Sequence, residues 1–236
     1  MDTLNLSMPQ LSVVIPVYNE SGNLQPLVEE IEQALSTRMR FEVIVVDDGS
    51  EDGTAAELSE LAATRPWLRV EAHQLNRGQS AAIRTGARAA FASVVAVLDG
   101  DGQNDPADIP ALFAALSLTN DGMAVGERRN RRDTWSRRVS SRIANNVRSS
   151  LLHDGIRDTG CGIKVFYRDE FLELPAFDHM HRFLPALMQL RGRKVRSIPV
   201  NHRPRRHGRS KYGILDRLGA GIVDLFGVMW LRRRRL

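Results

Sequence analysis

An α/β fold is predicted for this 236-residue chain: a mostly parallel sheet flanked by helices, with an amphipathic helix at the C-terminus. Three features of the sequence carry that reading. Continuous apolar runs recur in the first half without polar alternation, as expected of strands buried on both faces. Segments with helical apolar spacing lie between them. Polar clusters rich in Asp, Asn and Gly follow the runs, where the carboxyl ends of parallel strands would line one crevice.

The elements follow in order. Leu11–Val17 reads as the first strand and Asn23–Leu35 as the helix after it. Phe41–Val46 is the second strand and Thr54–Ala63 the second helix. A strand near Leu68–Leu75, a helix over Gln79–Phe91, a strand over Ser93–Leu98 and a helix over Ile109–Leu118 continue the alternation. The second half is less regular, with a strand at Gly122–Gly126, a helix over Trp135–Leu152 and a strand over Thr159–Tyr167. A helix over His181–Leu190 and a last strand at Val195–Val200 follow. No repeat or linker interrupts the chain, so residues 1–211 are expected to form one domain and 212–236 an appended helix.

A 42% hydrophobic content supplies a full core for one sizeable domain. The one cysteine, Cys161, excludes an internal disulfide and a cysteine-based zinc site, and fits a reducing compartment. Met1–Gln10 has no signal-peptide pattern, and no uncharged apolar run reaches the roughly 18 residues that cross a bilayer. The expected location is cytoplasmic, peripheral on the inner face of the membrane. The charge is split: residues 1–118 carry 7 basic and 17 acidic side chains, residues 119–236 carry 26 and 11. An anionic ligand or surface should therefore face the second half.

Asp99-Gly100-Asp101-Gly102-Gln103 stands where the fourth apolar run stops. Two carboxylates this close repel, and taking one away from water costs several kcal/mol unless a positive charge compensates. A hard divalent cation with oxygen ligands meets that need, and Gln103 offers a neutral oxygen. Asp105-Pro106, by contrast, reads as a helix cap with proline at the first position. Asp47-Asp48-Gly49-Ser50 closes the second strand, where a carboxylate can accept from ribose hydroxyls or a base N–H. Ser50 and Asp52 also suit a helix start, and the two readings are compatible. No G-x-G-x-x-G follows the first strand, which argues against dinucleotide binding.

Pro16-Val-Tyr-Asn-Glu20, Val46-Asp-Asp-Gly-Ser50, Asn76-x-Gly78 with Ala81 and Gly86, and Asp99-x-Asp101-x-Gln103 together resemble family 2 glycosyltransferases of the Rossmann-like GT-A fold. More narrowly, the chain resembles their polyprenyl-phosphate (dolichol-phosphate mannose synthase-like) branch, from about Leu11 to Tyr212. The resemblance implies that Pro16, Tyr18, Glu20 and Asp48 hold the nucleotide, with Gln79 and Asp99 also on the donor. It implies that Asp99, Asp101 and Gln103 hold Mg²⁺ or Mn²⁺ on the diphosphate. Gly126-Glu-Arg128 resembles the family's strand-end Gly-x-Arg, and Arg137-x-x-x-Ser141 its acceptor-phosphate pair. Four-residue spacing puts Arg137 and Ser141 on one helical face, able to grip one phosphate. Asp101, Arg128, Arg137 and Ser141 are thus the expected catalytic set. Arg129, Arg131 and Arg132 read as solvated surface residues.

An alcohol acceptor needs a general base, whereas a phosphate monoester is already ionised near neutral pH. Asp158-Thr-Gly-Cys-Gly-Ile-Lys164, His181-Arg-Phe183 and Gly208-Arg-Ser-Lys-Tyr212 match the lipid-phosphate branch, and Arg206, Ser210 and Lys211 are expected on the acceptor phosphate. The expected activity is inverting transfer of a mannose- or glucose-type sugar from a GDP- or UDP-sugar to polyprenyl phosphate. The alternatives are a glycosyltransferase acting on an alcohol or glycan, and a non-catalytic nucleotide-sugar-binding scaffold. Little aromatic interleaving accompanies the basic loop, so nucleic acid is not an expected partner. His179 and His181 lack a third ligand at helical spacing and read as loop and packing histidines; Asp158 reads equally as an acceptor-side residue or a strand-start cap.

The tail from Tyr212 to Leu231 mixes apolar residues with Asp216, Arg217 and Asp224, which are expected to share one side of a helix. Its apolar face, Trp230 and the run Arg232–Arg235 point to a helix lying in a membrane surface, alone or with a membrane-protein partner or a second copy. A terminal helix packed on the domain is the alternative.

Overall fold

The computed structural model describes residues 8–119, 121–128, 151–152, 154–204 and 214–234. Seven strands form one sheet: β1 (Leu11–Val17), β2 (Phe41–Asp47), β3 (Leu68–Ala72), β4 (Val94–Val97), β5 (Met123–Arg128), β6 (Lys164–Tyr167) and β7 (Val195–Val200). Their order is β3-β2-β1-β4-β6-β5-β7. β6 runs antiparallel to both neighbours, and the other strands are parallel to one another. The helices are α1 (Leu24–Leu35), α2 (Thr54–Thr64), α3 (Gln79–Ala89), α4 (Ile109–Thr119), α5 (Arg168–Leu172), α6 (Leu184–Leu190) and α7 (Ile214–Arg233).

Alternation along the strands explains why their sequences read as unbroken apolar runs. On β1, Leu11, Val13, Ile15 and Val17 face one core with α1, α2 and α4, through Leu27, Ile31, Leu58 and Leu112. Val14 faces the other way, into a second core with Ile83 and Ala87 of α3, Phe171 of α5 and Leu184 and Leu187 of α6. Side chains on a strand point alternately to opposite faces, so a sheet covered on both sides needs apolar residues at both. Burying each Leu or Ile contributes about 1.5–3 kcal/mol.

Several boundaries differ from the sequence expectation. The strand expected from Thr159 starts at Lys164, because Gly160 and Gly162 break the run into a turn. The helix expected from His181 begins at Leu184, with Pro185 in its first turn and a 3-10 turn over Met180–Arg182 before it. Asp105 caps as expected, its Oδ1 accepting from Ala107 N at 3.0 Å. The body of the helix expected over Trp135–Leu152 lies outside the described residues.

Register sets up the site. β1 and β2 pair in step from Leu11–Phe41 to Val17–Asp47, so the chain leaves both strands side by side at Tyr18 and Asp48. Val97 of β4 pairs with Lys164 of the reversed β6, so the start of β6 lies at the same edge of the sheet as the end of β4.

α7 packs on the second core through buried Val228, with Leu225, Met229 and Leu231 against the same cluster. Asp224 lies on this inner side, 3.2 Å from His179 Nδ1. Val223, Phe226 and Trp230 face outward, with 71%, 65% and 58% of their surface exposed.

Candidate active site

The loops after β1 and β2 are laced together. Asn19 N donates to Ser50 Oγ at 2.8 Å, Glu51 N to Asn19 Oδ1 at 2.8 Å and Glu20 N to Thr54 Oγ1 at 3.0 Å. Asp52 Oδ1 accepts from Thr54 N, the helix-start role expected for it. Glu57 of α2 accepts from Gly22 N and Gln25 N, so the N-terminus of α1 is capped by a neighbouring helix. Pro16 is buried within β1, Tyr18 lies just beyond it, and Glu20 Oε2 accepts from Asn23 Nδ2 at 2.8 Å.

Asp48, read from the sequence as able to accept from a ribose or base, is also engaged within the fold. Its buried carboxylate accepts from Arg77 N at 2.9 Å and Gly78 N at 2.8 Å, and lies 2.6 Å from His73 Nδ1. Of about four acceptor positions on a carboxylate, three are filled from within the fold. His73 Nε2 continues to Thr85 Oγ1 on α3. Asp48 therefore latches the second-strand loop to the 76–78 loop.

At the end of β4, Asp99 Oδ1 accepts from Gln79 Nε2 at 2.8 Å, and Asp99 N donates to Asn104 Oδ1. Asp101 is buried, and its Oδ1 accepts from Gln103 N across the turn that Gly102 makes at φ 71°. Burial and then the Asp101 charge push the Asp99 carboxyl up, against the smaller pull of Lys164, Gln79 and Arg128. A Cβ on Gly162 would stand 2.1 Å from Asp99 Oδ2 and 2.5 Å from Asn104 Oδ1, so the turn before β6 touches this loop directly. Gln103 is bracketed by the backbone of Arg203, whose N donates to Gln103 O at 3.0 Å and whose O accepts from Gln103 Nε2 at 3.4 Å. The Arg203 guanidinium in turn pairs with Glu30 and Asp105.

These donors fit a divalent cation. Two carboxylates share one turn, and burial and the Asp101 charge both disfavour the ionised form of Asp99, a cost that a cation between them would relieve. No group of three or more His, Cys, Asp or Glu able to hold a metal occurs among the described residues. A cation held by one or two carboxylates is ordinarily completed by a ligand's phosphates.

Basic groups stand opposite. Arg128, at the end of β5, grips Asp158 with Nε and Nη2, both at 2.7 Å, and its backbone N donates to the same carboxylate. Lys164 is buried at the start of β6, and its Nζ donates to Cys161 O. Burial pushes the Lys164 ammonium down and the Cys161 thiol up. Ser80 Oγ accepts from His181 N at 3.2 Å and lies 2.8 Å from His181 Nδ1, so the backbone and the ring of one residue both meet its hydroxyl. Burial, with Lys164 nearby, holds that imidazole well below 6.5 and thus neutral.

The structure therefore brings Asp48, Gln79, Asp99, Asp101, Gln103 and Arg128 to one edge of the sheet, with Pro16, Tyr18 and Glu20 beside them. Arg137, Ser141, Arg206, Ser210 and Lys211 lie outside the described residues. Sequence reasoning did not give roles to Lys164, Ser80, Asn104 or Gly162. Only the spacing Asp158-x-Gly-x-Gly-x-Lys164 could have pointed to two of them.

Relatives and solved structures agree with this architecture. A dodecaprenyl-phosphate galacturonate synthase of Rhizobium johnstonii is 35% identical over 229 residues, covering 95% of this chain and 68% of the relative. An undecaprenyl-phosphate 4-deoxy-4-formamido-L-arabinose transferase of Edwardsiella ictaluri is 40% identical over 212 residues, covering 87% and 63%. The chain thus spans about two thirds of the length of these relatives. Glucosyl-3-phosphoglycerate synthase of Mycobacterium tuberculosis, solved with Mn²⁺, UDP and glucosyl-3-phosphoglycerate, superposes with a TM-score of 0.72 at 19% identity, over 95% of this chain and 80% of that one. The same enzyme with Mg²⁺ and UDP gives 0.70. At that identity the likeness is one of fold, and the fold is GT-A. The family described as glycosyl transferase family 2 matches residues 12–173, and this chain belongs to it.

Proposed function

We propose that the chain transfers a sugar from a nucleoside-diphosphate sugar to a polyprenyl phosphate with inversion. The observation that carries this reading is the crowded pair Asp99 and Asp101, facing Arg128 and Lys164 across the end of β4. Asp99, Asp101 and Gln103 would hold Mg²⁺ or Mn²⁺, which would supply charge neutralisation at the diphosphate leaving group. Tyr18, Glu20 and the latched Asp48 border the nucleotide. Gln79 fixes Asp99, and Arg128, steadied by Asp158, faces the charge that grows on the leaving oxygen. The acceptor phosphate, placed between Arg137, Ser141, Arg206, Ser210 and Lys211, arrives ionised and has no proton to lose. Its oxygen attacks the anomeric carbon as the bond to the diphosphate breaks.

UDP is the favoured nucleotide, because the solved GT-A neighbours bind it. The relatives' names carry galacturonate and 4-deoxy-4-formamido-L-arabinose, so the sugar is proposed to be of that uronate or aminopentose kind rather than mannose or glucose. Residues 1–211 are the proposed transferase unit and 212–236 the proposed membrane-facing unit. No helix among the described residues is long and apolar enough to cross a membrane. Val223, Phe226 and Trp230, beside exposed Arg232, Arg233 and Arg234, form a stripe suited to an anionic lipid leaflet.

The test is transfer of labelled sugar from UDP-galacturonate, UDP-4-deoxy-4-formamido-L-arabinose, UDP-glucose and GDP-mannose to undecaprenyl phosphate, with Mn²⁺ or EDTA, read by organic-phase partition. Metal-dependent label in the organic phase is expected. Release of free sugar into water with every donor, and none in lipid, would refute the acceptor.

A further inference from the structure

Among the described residues, α7 meets the 178–181 segment at a half-buried contact. Asp224 Oδ2 is shut off from solvent and makes no hydrogen bond, and it lies 3.2 Å from His179 Nδ1. His179 has a left-handed backbone, φ 60°, shared among the described non-glycine residues only with Asn19 of the first-strand loop. Such a conformation persists where surrounding contacts over-determine it. Asp178 holds it from one side by accepting from His179 N at 2.8 Å, and Asp224 holds the ring from the other.

The segment so fixed meets the start of α3 at two points. Asp178 Oδ1 would stand 3.2 Å from a Cβ on Gly78, and His181 takes Ser80 through its backbone N–H and its ring. Ser80 is buried and adjoins Gln79, whose amide donates to Asp99. A continuous path of short contacts thus runs from α7 to the carboxylate that faces the diphosphate.

We propose that Asp224 and His179 are positioning residues for the donor site, acting through Ser80 and Gln79 on the Asp99 carboxylate. This rests on the donor-site reading above. Neither residue touches the ligand; together they set where the 178–181 segment presses on the N-terminal turn of α3. The seating of α7 on the domain and the geometry at Asp99 then vary together.

The experiment is hydrogen exchange on the full chain for wild type, Asp224→Ala, Asp224→Glu and His179→Gln, with titration by UDP and Mn²⁺. In Asp224→Ala and His179→Gln, exchange should rise in residues 177–184 and 77–82 while β1, β2 and β4 stay protected. Affinity for UDP with Mn²⁺ should fall by about fivefold or more, and Asp224→Glu should recover part of both. Loosening confined to α7, or loosened loops with wild-type affinity, overturns the proposal. If Asp224→Ala frees α7 altogether, seen as exchange across 214–234, His179→Gln decides alone. If the wild type binds neither UDP nor GDP with Mn²⁺, the donor-site reading fails, while the exchange map still reports whether the contact reaches residues 77–82.

Discussion

Arg128 and Asp158 meet fork to fork, tying the end of β5 to the turn that precedes β6. Both side chains are largely buried, at 15% and 6% exposed, so the pair is worth more broken than made: removing one partner strands the other charge. Asp158→Asn should destabilise the fold by about 3 kcal/mol, measured by urea denaturation. Arg128→Lys keeps the charge but loses the fork, and should lower kcat by about a hundredfold with little change in donor KM. An Arg128→Lys enzyme with wild-type kcat would remove Arg128 from the catalytic set.

Gly162→Ala tests the contact between the β6 turn and the Asp99 loop. With a Cβ placed 2.1 Å from Asp99 Oδ2, the carboxylate must move. Mn²⁺ affinity in the presence of UDP, followed by electron paramagnetic resonance, should drop by about tenfold or more. Unchanged affinity would show that Asp99 is not a ligand in its present position.

Asp99→Asn and Asp101→Asn should each abolish metal-dependent turnover and leave the fold intact by circular dichroism. Because burial and mutual repulsion raise the Asp99 carboxyl, its ionised form opposes folding at neutral pH. Asp99→Asn should therefore melt at the same temperature as wild type or higher. A marked fall in melting temperature would mean that the carboxylate is structural.

His181 gives the pH dependence a sign. Its folded value is depressed well below 6.5, so the unfolded chain binds the proton more tightly. Its contribution to stability is present above about pH 6.5 and is lost as pH falls through the folded value. Urea midpoints for wild type should decline across that interval more steeply than those of His181→Gln. Parallel curves would assign the acid sensitivity to other groups.

The outer stripe of α7 predicts a separable effect. Phe226→Ser with Trp230→Ser should cut sedimentation with phosphatidylglycerol vesicles and leave the melting temperature unchanged, since both side chains face away from the core. Equal sedimentation would remove the stripe from membrane binding.

The sheet and the Asp99–Gln103 loop were legible because their signals are local: an apolar run, a Gly-rich turn, two carboxylates two residues apart. The reversal of β6 was not, since a short strand buried on both faces carries no mark of its direction. The turn before it was legible only as the glycines at 160 and 162. The contact of Asp48 with His73 depends on β3 stopping at Ala72, which leaves His73 beside the second-strand loop, and sequence spacing does not report such an encounter. The contact of Asp224 was not legible either: helical spacing groups it with Asp216 and Arg217, while its partner, His179, sits in a distant loop.

The place of β6 between β4 and β5 also orders how the molecule comes together. β3, β2, β1 and β4 derive from one continuous stretch of chain and pair among themselves. β5 joins that half only across β6, and β7 only across β5. Asp99 and Gly162, far apart in sequence, meet at this seam, and such non-local contacts carry a high closure cost during folding. On a ribosome the first four strands have their full sequence long before the turn that meets Asp99 has emerged, so the nascent chain completes this edge of the sheet late.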